Sequence, residues 1–136
     1  MTYFDTDVLV NFVYNQDTGK HLKSISLVEK FMVDESFSIS WLSIQETGFV
    51  LAKLKQSDDF ITQKLYDLMT FSPLNYDILI FNRGIELANH IGFRDFNDCL
   101  HVAIAEQYCT DFYTYNREDF KKIQPLTFLN IHILQY

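Results

Sequence analysis

Short apolar runs alternate with longer stretches of helical spacing along the whole chain. Residues 2–4 open as a short strand that ends at Asp5, and residues 8–14 follow as a helix with Thr6 or Asp7 near its start. A loop over 15–19 leads to a helix over 20–33, whose Leu22, Ile25, Val28, Phe31 and Met32 share one face. Residues 37–41 alternate as a strand. Ser43-Ile44-Gln45-Glu46 then fits a capping box that opens a helix over 43–55. A helix over 61–70, a short strand over 71–76 containing Pro73, and a helix over 78–91 that stops near Gly92 come next. The remainder reads as a helix over 96–107, a strand over 111–115, a helical turn over 119–123 and a final strand over 126–134. Strands alternating with helices predict an α/β fold with a mostly parallel sheet covered on both faces. Sites in such folds lie beyond the carboxyl ends of the strands. Asp5, Glu46 and Asn116 each follow a predicted strand.

Length and composition narrow this picture. With 136 residues, 48% of them hydrophobic, the chain predicts a single domain with one sizeable core. Four Gly and two Pro argue against a loop-built fold. Cys99 and Cys109 have neither disulfide-framework nor metal-ligand spacing, so a reducing cytoplasm is the simplest compartment. The first ten residues carry Asp5 and Asp7 but no basic residue, unlike a signal peptide, and no apolar run approaches a membrane span. The net charge of −7 opposes nucleic-acid binding unless a divalent cation or a basic partner offsets it.

The candidate chemistry is carboxylate chemistry. Asp5 reads as a helix cap or as a site acid, and Glu46 as a capping-box partner or a site acid. Asp95 and Asp98 stand three apart at the start of a strongly apolar helix, one of them as its cap. His101 reads as a helix-face histidine rather than a ligand. Together the acids suit Mg²⁺ or Mn²⁺, which take oxygen donors and activate water for phosphodiester hydrolysis. No P-loop, dinucleotide fingerprint, Ser–His–Asp order or cysteine nucleophile is present.

Four blocks in order resemble the PIN-domain family over nearly the whole chain: "YFDTDVLVNF", "ISWLSIQETGFVL", "DFNDCLHVAIAEQY" and "DFYTYNREDF". Asp5, Glu46 and Asp98 match its first three acidic positions, and Thr114 its hydroxyl position. The fourth acidic position falls on Asn116, a departure that removes one charge. The resemblance implies a three-layer α/β/α sandwich and a Mg²⁺- or Mn²⁺-dependent ribonuclease acting on single-stranded RNA. For the branch similar to the VapC toxins it also implies a homodimer and a cognate antitoxin. In that frame Asp5, Glu46 and Asp98 hold metal, Asn116 and Thr114 position water, and Asp95 and Asp119 support them, directly or through water. Arg94 and Arg117 flank the acids as phosphate contacts or as surface charge balance. An excess of Phe and Tyr agrees with an interface between copies. Two other readings stand beside this one. The first is a PIN-fold binding module without activity, which Asn116 and the net charge favour. The second is a haloacid-dehalogenase-like phosphatase with Asp5 as nucleophile and Asp7 as general acid, although its later acidic pair would have to be Asp58-Asp59, which follows no strand.

Overall fold

The computed structural model describes all residues 1–136. In chain order the elements are β1 (Thr2–Phe4), α1 (Thr6–Val13), α2 (Thr18–Val33), β2 (Phe37–Ser38), α3 (Trp41–Lys53), α4 (Asp58–Met69) and α5 (Ile78–Ile91). A 3₁₀ turn (Phe93–Asp95) then leads into α6 (Phe96–Tyr108), β3 (Asp111–Thr114) and α7 (Arg117–Ile123). A second 3₁₀ turn (Gln124–Leu126) precedes β4 (Asn130–Ile133).

The four strands form one wholly parallel sheet in the order β2-β1-β3-β4. Alternate residues of each strand face opposite sides. Tyr3, Phe112 and Ile131 therefore join the core under α5, α6 and α7. Phe4 and Phe37 join the core under α1, α2 and α4, where Phe4 stacks on Tyr113 with ring centroids 5.5 Å apart. The result is the expected three-layer α/β/α sandwich.

The chain leaves β1 to build β2 on one side and later returns to build β3 on the other. The crevice between the carboxyl ends of β1 and β3 is therefore the switch point of the sheet, where α/β folds place ligands. Helix α5 stops at Gly92, whose φ of +107° with ψ of 149° suits a residue without a Cβ. That stop turns the chain sharply into α6, so that Asp95 and Asp98 arrive at the same end of the molecule as Asp5.

Several local expectations change. The strand expected over 37–41 pairs only at Phe37–Ser38, with a further isolated bridge from Ser40 to Leu74. That bridge is all that remains of the strand expected over 71–76. Helix α3 starts earlier, and its capping box is Ser40 with Ser43, not Ser43 with Glu46: Ser40 Oγ accepts from Ser43 N at 3.1 Å, and Ser43 Oγ from Ser40 N at 3.4 Å. The helical turn expected over 119–123 is α7, capped by Asn116. The last strand is shorter because the Gln124–Leu126 turn takes its expected start.

Candidate active site

Asp5 is the N-cap of α1, and its carboxylate is held from two sides. Its Oδ1 accepts from Thr6 N at 2.8 Å, capping the helix, and its Oδ2 accepts from Thr114 Oγ1 at the end of β3, also at 2.8 Å. Asp5 is only 5% exposed. Two residues on, Asp7 accepts from Tyr115 N at 3.2 Å and lies 3.3 Å from Thr114 Oγ1. Both carboxyls thus meet β3 at the switch point. Burial pushes the pKa of Asp5 up, against the pull of His101, Thr114 and the Thr6 N–H. Burial, with the neighbouring Asp5, pushes Asp7 up to about 8.

From α6, Asp98 approaches the same point. Burial and the Asp5 charge raise its pKa to about 8. Asp95, Asp98 and Asp119 form the tightest acidic group, with carboxylate oxygens all within 4.8 Å of one another. The Lys122 ammonium reaches only its outer edge, 3.8 Å from Asp95 and 3.9 Å from Asp119.

Glu46 comes from the middle of α3 because the cap lies at Ser40. Burial opposes its charge. Hydrogen bonds from His101 Nε2, Thr6 Oγ1 (2.8 Å) and Asn97 Nδ2 (3.0 Å) outweigh burial and hold its carboxyl below the usual range. His101 lies on α6 with its ring turned into the protein. It is 1% exposed, with Nδ1 2.7 Å from Tyr3 Oη and Nε2 on Glu46. Burial disfavours a charged imidazole, yet Tyr3, Glu46 and Asp5 outweigh burial and raise its pKa well above the ordinary value. Tyr3 Oη also lies 2.7 Å from Ser40 Oγ, so the α3 cap, β1 and α6 share one buried network.

A cavity of about 560 Å³ joins these groups, lined among others by Asp5, Asp7, Glu46, Asp98 and Asn116. The model of the PIN-domain family matches residues 2–125 of this sequence. The chain belongs to the PIN-domain family. Its fold is similar to a chain in the crystal structure of VapBC2 from Rickettsia felis bound to a DNA fragment from their promoter. The TM-score is 0.73 and the identity 17%, over 99% of this chain and 100% of that one. No curated protein matches the sequence.

PIN domains are typically nucleases that use divalent metal ions, and this PIN domain has a donor set that fits one. Every group at the cavity's acidic end offers oxygen, the preference of Mg²⁺ and Mn²⁺. The raised pKa values of Asp5, Asp7 and Asp98 register burial and mutual repulsion that a cation would relieve.

The five sequence-derived candidates separate on inspection. Asp5, Glu46, Asp98 and Asn116 line one cavity, while Thr114 lies buried beneath it, bonded to Asp5. Asp98 also joins Asp95 and Asp119, but Glu46 is bound to His101. Asn116 is engaged in capping α7: its Oδ1 accepts from Asp119 N at 3.2 Å and its Nδ2 donates to Asp119 Oδ2 at 2.8 Å. Arg94 and Arg117 are exposed and do not line the cavity. Asp7 reads in the sequence as a helix-start residue or a phosphatase general acid, and the PIN-domain family has no place for the second role. Its place against β3 makes it part of the acidic site, and the Asp-Thr-Asp spacing at a helix start was the signal for it.

Proposed function

We propose that this PIN domain is a Mg²⁺- or Mn²⁺-dependent endoribonuclease cleaving single-stranded RNA, and the toxin of a type II toxin–antitoxin pair. The observation that carries the reading is that Asp5 and Asp98, from distant elements, line one cavity at the sheet's switch point, with burial and the Asp5 charge both raising the cost of ionising Asp98.

Asp5 and Asp98 hold the metal in this reading, with Asp95 and Asp119 supporting from the outer edge. A bound divalent ion would lower the pKa of a coordinated water and offset charge on the phosphate. The protein's own residues prepare the rest. Thr114 holds Asp5 by a hydrogen bond and accepts one from Asn116 N at 3.0 Å, which ties the loop after β3 to the acid. Asp7 accepts from the Tyr115 N–H and from Thr114 Oγ1, which fixes the end of β3 against the start of α1. Glu46, kept ionised by His101, Thr6 and Asn97, presents a fixed acceptor across the cavity, suited to orient a water or a metal ligand. Asn116 acts through Asp119 and the start of α7.

The fold likeness to a VapBC2 chain supports an antitoxin as partner. Ile78, Leu79, Phe81 and Phe93 are exposed on α5 and the turn after it, and support a homodimer face there. No helix is long and apolar enough to cross a membrane; the cytoplasm is the proposed compartment. A second reading, a PIN-fold binding module without activity, draws on Asn116, whose carboxamide is spent on the α7 cap. Incubation of the protein with end-labelled single-stranded RNA in Mn²⁺, Mg²⁺ or excess chelator decides between them. Internal cleavage only with metal is expected. RNA bound but uncut in every condition would favour the binding module.

A further inference from the structure

The wall of the cavity made by α1 and α3 holds groups that the acid chemistry leaves unused. Phe49 stands three residues after Glu46 on α3, so the two are neighbours on one helix face. Its ring lines the cavity and is 61% exposed. Lys53 Nζ sits over that ring, 4.5 Å from its centroid. Val10 and Val50 add apolar surface, and Gln45 and Gln16 line the same space.

Asn11 also lines this wall and is 3% exposed. Its Nδ2 donates to the Asp7 carbonyl at 2.8 Å, which settles which end of the amide is oxygen. That Oδ1 is the one buried side-chain polar atom in the protein without a hydrogen-bond partner. A buried orphan acceptor is costly, and so is a large ring in water. A flat aromatic ligand with N–H groups on its edge relieves both.

Resting on the nuclease reading above, we propose that this wall is a nucleobase subsite. Phe49 stacks on the base of a nucleotide whose phosphate lies at Asp5 and Asp98, the Gln45 carboxamide meets the base edge, and a small shift of the α1 wall opens Asn11 Oδ1, covered in the free protein, to an N–H of the base. Stacking on an aromatic side chain needs a base that is already free of its partner, which selects single strands. The base takes the ring face turned to the cavity, and the Lys53 ammonium beside the ring lies within reach of the nucleotide's own phosphate. That places a positive charge where a protein of net charge −7 most needs one.

The test is a protein–RNA cycle read by fluorescence anisotropy. The probes are a labelled mixed-sequence hexaribonucleotide and six versions, each with an abasic ribose at one position. Binding is measured with otherwise unaltered protein in Ca²⁺, a hard cation that takes the same oxygen donors, and probe length is checked by gel after each titration. Without further change, one abasic position should weaken binding about tenfold. Adding Phe49→Leu, which keeps apolar bulk but not the aromatic face, should erase that difference, and Phe49→Trp should keep or enlarge it. The exposed position makes both variants foldable, and melting curves check this. Equal binding of intact and abasic probes, or a Phe49→Leu variant that still discriminates between them, overturns the subsite. The nuclease reading is judged separately, by cleavage with unaltered protein: base-dependent binding without cleavage would sink that reading and leave the subsite standing.

Discussion

Replacing Asp98 with Asn should leave the metal-free protein at least as stable as wild type at pH 7, because the acid is held against its own ionisation. Its pKa is about 8 in the folded protein against 3.8 for an ordinary Asp. Between those values the folded state binds more protons than the unfolded one. The associated stability is full below about pH 3.8, declines as pH rises, and is gone once pH passes about 8. At pH 7 about three pH units of that interval have been crossed, an upper bound of about 4 kcal/mol. Partial exposure and sharing of the repulsion with Asp5, Asp119 and Asp95 reduce this to about 1–2 kcal/mol. Against it stands the favourable place of Asp98 in the first turn of α6, about 0.3–1 kcal/mol. The cost of ionising a buried acid at least matches that gain, and the variant should melt level with wild type or up to about 6 °C higher in chelator at pH 7, with the advantage shrinking toward pH 4. Mn²⁺ at a hundred times its Kd should add about 2.7 kcal/mol to wild type and much less to the variant. Thermal melts at pH 4, 5.5, 7 and 8.5, with chelator and with Mn²⁺, supply the comparison. A variant melting several degrees below wild type in chelator at pH 7, or equal Mn²⁺ shifts in both proteins, would refute the reasoning.

Ser40→Ala should cost about 0.5–2 kcal/mol by chemical denaturation, since Ser40 caps α3 and bonds Tyr3; an unchanged midpoint would show that the cap is dispensable. Gly84→Val should cost about 1–3 kcal/mol, because even a Cβ there would stand 2.6 Å from Leu100 Cδ2 where α5 packs on α6; a neutral result would mean that the helix pair can spread. His101→Leu should raise the pKa of Glu46 by removing its principal hydrogen-bond partner, which carboxyl NMR titration would detect; an unmoved Glu46 would break the proposed link.

The sheet and its acids were legible where local chemistry and tertiary packing agree. The start of β1, the position of Asp5, the span of α5 and its stop at Gly92 all follow from patterns that neighbouring residues complete among themselves. Glu46 was found for its block resemblance, but its capping-box reading failed. Ser43 can serve equally as the first or the last member of a box, and the early end of β2 gives the cap to Ser40. The partners of His101 are not legible locally: α6 is buried along most of its length, so a polar side chain on it finds its partners inside, on distant elements. Asp7 was underweighted because its partner is the Tyr115 N–H, more than a hundred residues away, which no local pattern encodes. Asn116 matched an acidic position by alignment of blocks, but its side chain answers first to the start of α7.

In the proposed function, a divalent ion held at Asp5 and Asp98 supports RNA cleavage. Titration of Mn²⁺ by calorimetry, run beside cleavage of single-stranded RNA over the same Mn²⁺ concentrations, tests it most directly. Wild type should bind the ion and gain cleavage along one saturation curve, while Asp5→Asn and Asp98→Asn lose both together. Cleavage that persists in chelator, or both variants binding Mn²⁺ and cutting RNA as wild type does, would contradict the account.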